Sequence, residues 1–189
     1  MIYWFQTKPL GYDKEKHMIR KATAADIDRV EEIYNAHLDF EEATENRTNW
    51  HKGVYPLRAT AENALKNDWL YVGEDEDGIW GAVIFNHVQM KEYYDMPWRY
   101  PEEDDKVFVI HTLVIDPDRR GQGKATEILN GAEEIAKEMG CTVMRIDTWA
   151  GNIPAQTLYQ KQGYAIVGGC DTWFANAYIS PLVFLDKKL

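Results

Sequence analysis

Apolar residues along this chain change repeatedly between the spacing of a helix and the spacing of a strand. From Asp26 to Phe40 they recur every three to four residues, which indicates one buried helix face. The stretch from Val107 to Ile115 is almost continuously apolar, a pattern typical of a strand buried on both faces. The helical spacing returns from Thr126 to Met139, and Gly140 predicts the end of that helix.

The remaining segments predict one α/β domain. Short helices are expected at residues 60–66 and 154–162, and further strands at residues 19–23, 69–73, 79–88, 142–149, 164–168 and 177–185. The resulting order, β-α-α-β-β-β-α-β-α-β-β, indicates a mixed sheet with flanking helices. We assign the domain to residues 18–189 and interpret residues 1–17 as an N-terminal extension.

A glycine-rich turn at residues 120–125 separates the buried strand from the long helix. A strand, a flexible turn and a helix N-terminus in this order bind anions, because free backbone amides and the positive end of the helix dipole face the ligand. Gly121 and Gly123 allow the main chain to approach that ligand closely. Arg119, Arg120 and Lys124 add positive charge, so we expect a phosphorylated ligand.

Two widespread glycine motifs do not fit this turn. A P-loop needs a glycine where Asp118 stands and a hydroxyl where Ala125 stands. A dinucleotide-binding motif needs a third glycine where Thr126 stands. An ordinary strand-to-helix turn would not need two glycines together with three cations. The pattern [RQ]-x-x-G-x-[GA] is matched at every fixed position from Arg120 to Ala125.

A second motif follows downstream, with the pattern N-x-x-A-x-x-L-Y-x-x-x-G-[FY]. Its fixed positions are Asn152, Ala155, Leu158, Tyr159, Gly163 and Tyr164. Together the two motifs resemble those of the GCN5-related N-acetyltransferases, the GNAT family. The resemblance covers most of the chain, from Met18 to Leu185, and two matches in the right order are more specific than either alone.

The resemblance implies the GNAT acyl-CoA N-acyltransferase fold, in which a mostly antiparallel mixed sheet has splayed central strands. It implies acetyl transfer from acetyl-CoA, as co-substrate and without a metal, to a primary amine. In this reaction Tyr159 is the general acid that protonates the leaving thiolate. The cofactor-binding residues implied in the same way are Leu113, Val114, Ile115, Arg119, Arg120, Gly121, Gln122, Gly123, Lys124, Ala125, Thr126, Asn152, Ala155 and Tyr159.

Two residues compete for the role of general base. Asp147 lies on the strand before Asn152, where some members of the family that the chain resembles carry a catalytic glutamate. His111 lies on the central strand, and a neutral imidazole is a suitable base near pH 7. Strand alternation predicts that His111, Leu113 and Ile115 share one face. A hydrogen-bonded core histidine, or a water chain in place of any protein base, are the open alternatives.

Aromatic residues in two predicted loops are candidates for the acceptor pocket: Trp50, Tyr55, Tyr93 and Trp98. Aromatic rings with nearby carboxylates suit a cation such as an amine. The same rings could instead cover the open side of the sheet. Residues 169–176 are a candidate lid or a contact in a homodimer, which the sequence leaves open.

The overall charge limits the choice of partners. A formal net charge of −10 argues against general nucleic-acid binding and favours a cationic small-molecule acceptor. The sequence has no apolar run that predicts a membrane span and no signal-peptide pattern. Two cysteines are too few for a disulfide framework, so a cytoplasmic location is expected. Acetylation of a protein or peptide, and CoA binding without turnover, are the alternative functions.

Overall fold

Seven strands form a single sheet in the computed structural model, which describes residues 19–189. The predicted extension at residues 1–17 lies outside the described part. The strands are β1 (Ile19–Lys21), β2 (Leu70–Asp75), β3 (Gly78–Asn86), β4 (Val107–Ile115), β5 (Val143–Trp149), β6 (Ala165–Phe174) and β7 (Tyr178–Lys188). Their spatial order is β1-β2-β3-β4-β5-β7-β6, and every neighbouring pair is antiparallel except β4 and β5.

Four α-helices cover the two faces of the sheet. They are α1 (Ile27–Ala43), α2 (Arg58–Lys66), α3 (Lys124–Glu138) and α4 (Ile153–Lys161). The apolar side of α3 packs with β3 and β4 in the largest core cluster, and residues of α1 and α2 form a second cluster with β2 and β3. Among residues 19–189, none of the helices combines the length and the apolar character needed to cross a bilayer.

The predicted order of helices and strands is confirmed, with one clear error in length. The strand expected to end at residue 168 continues as β6 to Phe174 and forms a hairpin with β7. Residues 169–176 are therefore mostly strand, and the proposal of a free lid at this position is wrong. The physical reason is the pairing with β7, which fixes these residues in an extended conformation although two glycines precede them.

The sheet opens between its two central strands. Pairing of β4 with β5 ends at Ile110 and Ile146. Beyond that point β4 continues to pair with β3 as far as Ile115, while β5 continues to pair with β7 as far as Trp149. The two strands therefore splay apart at their C-terminal ends, as the fold prediction requires. On the side toward β5, residues 111–115 face a gap, while on the other side they pair with β3.

A bulge at Thr112 changes the direction of the side chains along β4. Thr112 has a φ of 48°, and the register between β3 and β4 shifts at this point. A β-branched residue with positive φ is rare and costs on the order of 1–3 kcal/mol. In a regular strand, Ile110 and Leu113 would point to opposite faces, because two residues lie between them. With the bulge, they pack in the same core cluster. The prediction that His111 shares a face with Leu113 and Ile115 is wrong for this reason.

Buried charges attach the segment at residues 87–106 to the sheet. Asp186 on β7 is completely buried and accepts hydrogen bonds from the Nε and the backbone N of Arg99, at 2.6 and 2.8 Å. The guanidinium of Arg145 on β5 lies 4.1 Å from the ring of Trp98 and donates to the carbonyl of Tyr100. This segment contributes Met90 to the lining of the site described below and holds Tyr93 behind it.

The Asp186→Asn variant tests this attachment. We expect the free energy of unfolding to fall by about 3 kcal/mol, because an amide NH₂ would face backbone donors and the charge-assisted bonds would be lost. Urea denaturation followed by tryptophan fluorescence measures the change. Asp39→Asn is the control, since Asp39 pairs with Lys52 at an exposed position where the expected effect is below about 1 kcal/mol. Equal stability of the two variants would contradict the prediction.

Candidate active site

A cavity of about 270 Å³ lies where β4 and β5 separate. The three predicted catalytic residues, His111, Asp147 and Tyr159, all line it. Leu113 and Asn152, two of the predicted cofactor-binding residues, line it as well. The structure thus brings together residues from β4, β5 and α4 that are far apart in the sequence.

The glycine-rich turn keeps its backbone amides available. The amide of Arg120 donates to the carbonyl of Pro117, and the next amide along the turn that donates to a backbone carbonyl is that of Glu127, to Gly123. The amides between them, at residues 121–126, have no hydrogen-bond partner among residues 19–189. Gly121 and Gly123 have φ values of 75° and 79°, and a methyl group built on either would meet only open space. We call residues 121–126 the amide cradle; free amides at the start of a helix are typical of anion-binding sites.

The cationic side chains next to the amide cradle are mostly paired with carboxylates. Arg119 and Lys124 both contact Asp75, at 2.9 and 3.2 Å, and Lys124 also lies over the ring of Trp80. Only Arg120 extends into solvent, stacked 4.5 Å from the ring of Phe40. The predicted island of three cations is thus corrected to one outward-facing guanidinium plus the amides of the cradle.

The other predicted cofactor residues have local structural roles that leave room for binding. Asn152 is the N-cap of α4, and its side-chain oxygen accepts a hydrogen bond from the amide of Ala155 at 3.2 Å. The side-chain NH₂ group of Asn152 is not used by this cap. Val114 is buried on the α1 side of the sheet, whereas Leu113 and Ile115 pack on the α3 side. Any contact of these three residues with a ligand would therefore come from the backbone facing the gap.

His111 has a defined tautomer. Its Nε2 lies 3.1 Å from the carbonyl oxygen of Val88 and 3.1 Å from Oδ1 of Asn86, and both partners accept hydrogen bonds. Nε2 therefore carries the proton, and Nδ1 keeps a free lone pair. Burial lowers the pKa of His111, while the nearby charge of Asp147 opposes that shift. The neutral imidazole is the favoured form near pH 7, and Asp147 stabilises the form that has gained a proton.

Asp147 lies on the part of β5 that no longer pairs with β4. The hydroxyl of Tyr93 donates a hydrogen bond to its Oδ1 at 2.7 Å. Burial raises the pKa of Asp147, and the neighbouring His111 and the Tyr93 hydroxyl counteract this rise. Tyr93 itself is fully buried and does not line the cavity, so the prediction that it binds the acceptor directly is corrected. Its structural role is to orient Asp147.

Tyr159 reaches the cavity from α4. Its side chain is 7% exposed and packs 6.1 Å from the ring of Tyr164. Burial raises the pKa of Tyr159, and the charge of Asp147 raises it further. The hydroxyl therefore stays protonated throughout the neutral range and can donate a hydrogen bond there.

The predicted acceptor residues divide into two groups. Trp50 and Tyr55 line the cavity, and the hydroxyl of Tyr55 pairs with that of Thr112 at the bulge. Trp98 does not line it: its ring stacks on Arg145, and its Nε1 donates to the carbonyl of Tyr93 at 2.7 Å. The prediction for Trp98 is therefore wrong, because the cation stacked on its ring belongs to the sheet and not to a ligand.

Sequence reasoning missed the wall that β5, β6 and β7 contribute. Its members are Thr148, Trp149, Thr172, Trp173, Phe174, Ser180 and Leu182. The run Thr172 to Phe174 is β-branched and aromatic, which was an available strand signal. It was overlooked because the preceding glycines suggested that the strand had already ended.

The loop between α1 and α2, residues 44–57, covers one side of the cavity. Glu41, a buried carboxylate of α1, accepts hydrogen bonds from the amide and the hydroxyl of Thr48. Asn49 donates to the hydroxyl of Ser180 at 3.0 Å and accepts from the hydroxyl of Tyr178 at 2.6 Å. We call residues 44–57 the roof, which is held by α1 on one side and by the β6–β7 hairpin on the other.

The amide cradle and a pocket lined by proton donors and acceptors both lie along β4 and the segments that follow it. The sequence profile described as Acetyltransferase (GNAT) family matches residues 30–164. The chain therefore belongs to the GNAT family of acetyltransferases.

Similar proteins agree with this assignment. An uncharacterised N-acetyltransferase of Methanocaldococcus jannaschii is 27% identical over 151 residues, which cover 78% of this chain and 60% of that relative's length. A Bacillus subtilis protein provisionally named a phosphinothricin acetyltransferase is 27% identical over 155 residues, 78% of this chain and 83% of that protein. A Salmonella typhimurium protein solved with its cofactor acetyl-CoA has a TM-score of 0.62 at 18% identity, covering 90% of this chain and 92% of that one. This last similarity shows the shared fold.

Proposed function

We propose that the protein transfers the acetyl group of acetyl-CoA to the primary amine of a small molecule. The observation that carries the proposal is the course of β4: its last residues, 111–115, have no partner strand on the β5 side and lead from the cavity directly into the turn that ends in the amide cradle. The cradle would hold the pyrophosphate of CoA. The backbone of Leu113, Val114 and Ile115 would pair with the extended arm, whose thioester then ends in the cavity.

The side chains in the cavity would handle the protons of the transfer. A cationic acceptor first loses one proton to solvent, which leaves a neutral amine that can attack. Nδ1 of His111 then accepts the second proton while the new C–N bond forms. The C–S bond breaks, and the hydroxyl of Tyr159 donates to the departing sulfur. His111 then releases its proton to solvent. Tyr159 takes up a proton from solvent, which replaces the one that it gave to the sulfur. Asp147 stabilises the protonated imidazole and attracts a cationic acceptor.

Release of the CoA thiol tests the proposal. The protein is incubated with acetyl-CoA and a panel of primary amines, free thiol is followed with a chromogenic reagent, and acetylated products are identified by mass. Calorimetry with CoA alone measures cofactor binding separately. Amine-dependent thiol release supports the proposal. No thiol release with any amine, together with no CoA binding, would overturn it.

The roof over the cavity favours a small acceptor over a protein. Asn49, Tyr178 and Ser180 join the roof to the β6–β7 hairpin across the cavity, where an extended peptide would have to pass. Acetylation of peptide N-termini or lysines at rates above those of the best small amine would favour the alternative. A CoA-binding module without turnover would bind CoA and acetylate nothing. Cytoplasmic location and homodimer formation stay predictions.

The pH dependence of turnover follows from the buried imidazole. Protonated His111 cannot accept the amine proton, and burial places its pKa below the ordinary value. We therefore expect kcat to be level at neutral pH and to fall only below about pH 6.5, the ordinary value for histidine. Profiles with two acceptors of different amine pKa separate this limb from any limb due to the acceptor, which would move with the amine. A kcat that rises toward low pH would contradict the role of His111 as base.

A further inference from the structure

The described lining of the cavity contains a carboxyl group but no lysine or arginine. Among its lining residues only His111 and Asp147 are ionisable below the range of tyrosine, and neither carries a positive charge in its favoured form. Among residues 19–189, no lysine or arginine contributes to the lining. The cavity therefore offers a site for a cation and none for an anion.

Two arginines that do not line the cavity are engaged elsewhere. Arg145 stacks on Trp98 and donates to the carbonyl of Tyr100 at 3.2 Å. Arg120 lies over Phe40 on the outer surface, at the amide cradle. A rotation of either side chain into the cavity would leave its present contacts unmade. The absence of a counter-ion is thus a property of the packing.

The rest of the lining suits a flat apolar group. Trp50, Tyr55, Trp149 and Phe174 contribute rings, and Tyr55 and Phe174 meet edge to face with 5.1 Å between their centroids. Apolar and aromatic ligands gain most from such walls, since ring contacts add to the area that they bury. The uncharged polar groups of the lining are hydroxyls, indole N–H groups and the side-chain amide of Asn152. Ser180, which accepts from Asn49, keeps its own proton for donation.

We infer that the acceptor is a primary amine on an uncharged, ring-containing body and that the cavity rejects acceptors with an anionic group beside the amine. The inference rests on the proposed function and identifies its substrate class. In an α-amino acid the carboxylate is attached to the carbon that bears the amine. With the amine at His111 and Asp147, that carboxylate would be buried next to Asp147 with no cation to pair with. The same argument excludes phosphinothricin, whose acetylation gives the Bacillus subtilis relative its provisional name.

Matched acceptors provide the test. Phenylethylamine and phenylalanine differ only in the carboxylate, and phenylalaninamide restores the bulk without the charge. We expect kcat/KM for phenylethylamine to exceed that for phenylalanine by at least about a hundredfold, because two like charges a few ångströms apart inside a protein repel strongly. Phenylalaninamide should recover most of the difference. Phosphinothricin should behave like phenylalanine.

Each outcome separates this inference from the proposed function. Equal rates with phenylalanine and phenylethylamine, or a preference for phosphinothricin, would overturn the inference and leave the acetyltransferase assignment intact. CoA binding without acetylation of any of the four compounds would also overturn it. Absence of both CoA binding and turnover would instead contradict the proposed function.

The Asp147→Asn variant examines the source of the discrimination. Asparagine keeps an oxygen that can accept from the hydroxyl of Tyr93 but removes the negative charge. Turnover should fall for all acceptors, whereas the ratio of kcat/KM between phenylethylamine and phenylalanine should shrink at least about fivefold, since one repelling charge is lost. An unchanged ratio would show that Asp147 does not select against anions.

Discussion

Replacing Tyr159 by phenylalanine should lower kcat by about 10²–10⁴-fold, the usual contribution of a positioned acid or base. The ring of Tyr159 is almost fully buried, so phenylalanine preserves its packing and removes only the hydroxyl that faces the cavity. The departing sulfur then carries its charge without a donor. CoA affinity should change about fivefold or less, because one net hydrogen bond contributes about 1 kcal/mol.

Tyr164→Phe is the matched control for this variant. Tyr164 neighbours Tyr159 and is equally buried, but its hydroxyl contacts only the sulfur of Met144, at 3.6 Å, away from the cavity. Its kcat should stay close to that of the parent protein. Steady-state kinetics give kcat for both variants, and calorimetry gives the affinity for CoA. A Tyr159→Phe protein with the parent kcat would exclude Tyr159 as the acid.

Gly123→Asp should weaken CoA binding more than any other single change in the amide cradle. A carboxylate at this position would stand a few ångströms from the bound pyrophosphate, where two unit charges repel by about 1–4 kcal/mol. This range corresponds to about a 5- to 700-fold rise in the Kd for CoA. A Cβ atom at this position would have no protein atom within 4 Å, so we expect the effect to come from the charge and from the left-handed backbone at φ 79°.

Gly123→Asn separates these two contributions. Asparagine has nearly the same shape as aspartate, tolerates positive φ better than most residues and carries no charge. Its CoA affinity should lie between those of the parent protein and Gly123→Asp. Gly140→Asp adds the same carboxylate at a φ of 77°, beyond the far end of α3, and should leave CoA affinity unchanged. If Gly123→Asp bound CoA as tightly as Gly123→Asn, the pyrophosphate would not lie at the cradle.

Much of the fold followed from local signals. The periodic apolar residues of α1 and α3, the continuous apolar run of β4 and the stops at Gly140 and Gly163 predicted the elements in their correct order. These signals depend on neighbours within one turn or one strand, so the sequence contains them directly. The two motifs likewise located the amide cradle and Tyr159, because each is a continuous stretch of chain.

The acceptor side of the site depended on contacts between distant segments. Trp98 and Trp50 look alike in the sequence as large rings in loops, yet one stacks on Arg145 and the other lines the cavity. The strand β6 extended past its glycines because β7 lies beside it. Neither outcome has a local cause, which explains why both predictions failed.

The sequence by itself determined the helices and strands, the anion-binding turn and the identity of the candidate acid. The tertiary structure decided which way the candidate catalytic side chains point: the bulge at Thr112 and the end of pairing at Ile110 bring His111 near Asp147 and open the gap between β4 and β5. It also decided the charge of the site, since Asp75 pairs with Arg119 and Lys124. Local conformation depends on adjacent residues, whereas side-chain direction and charge pairing depend on partners that only folding brings together.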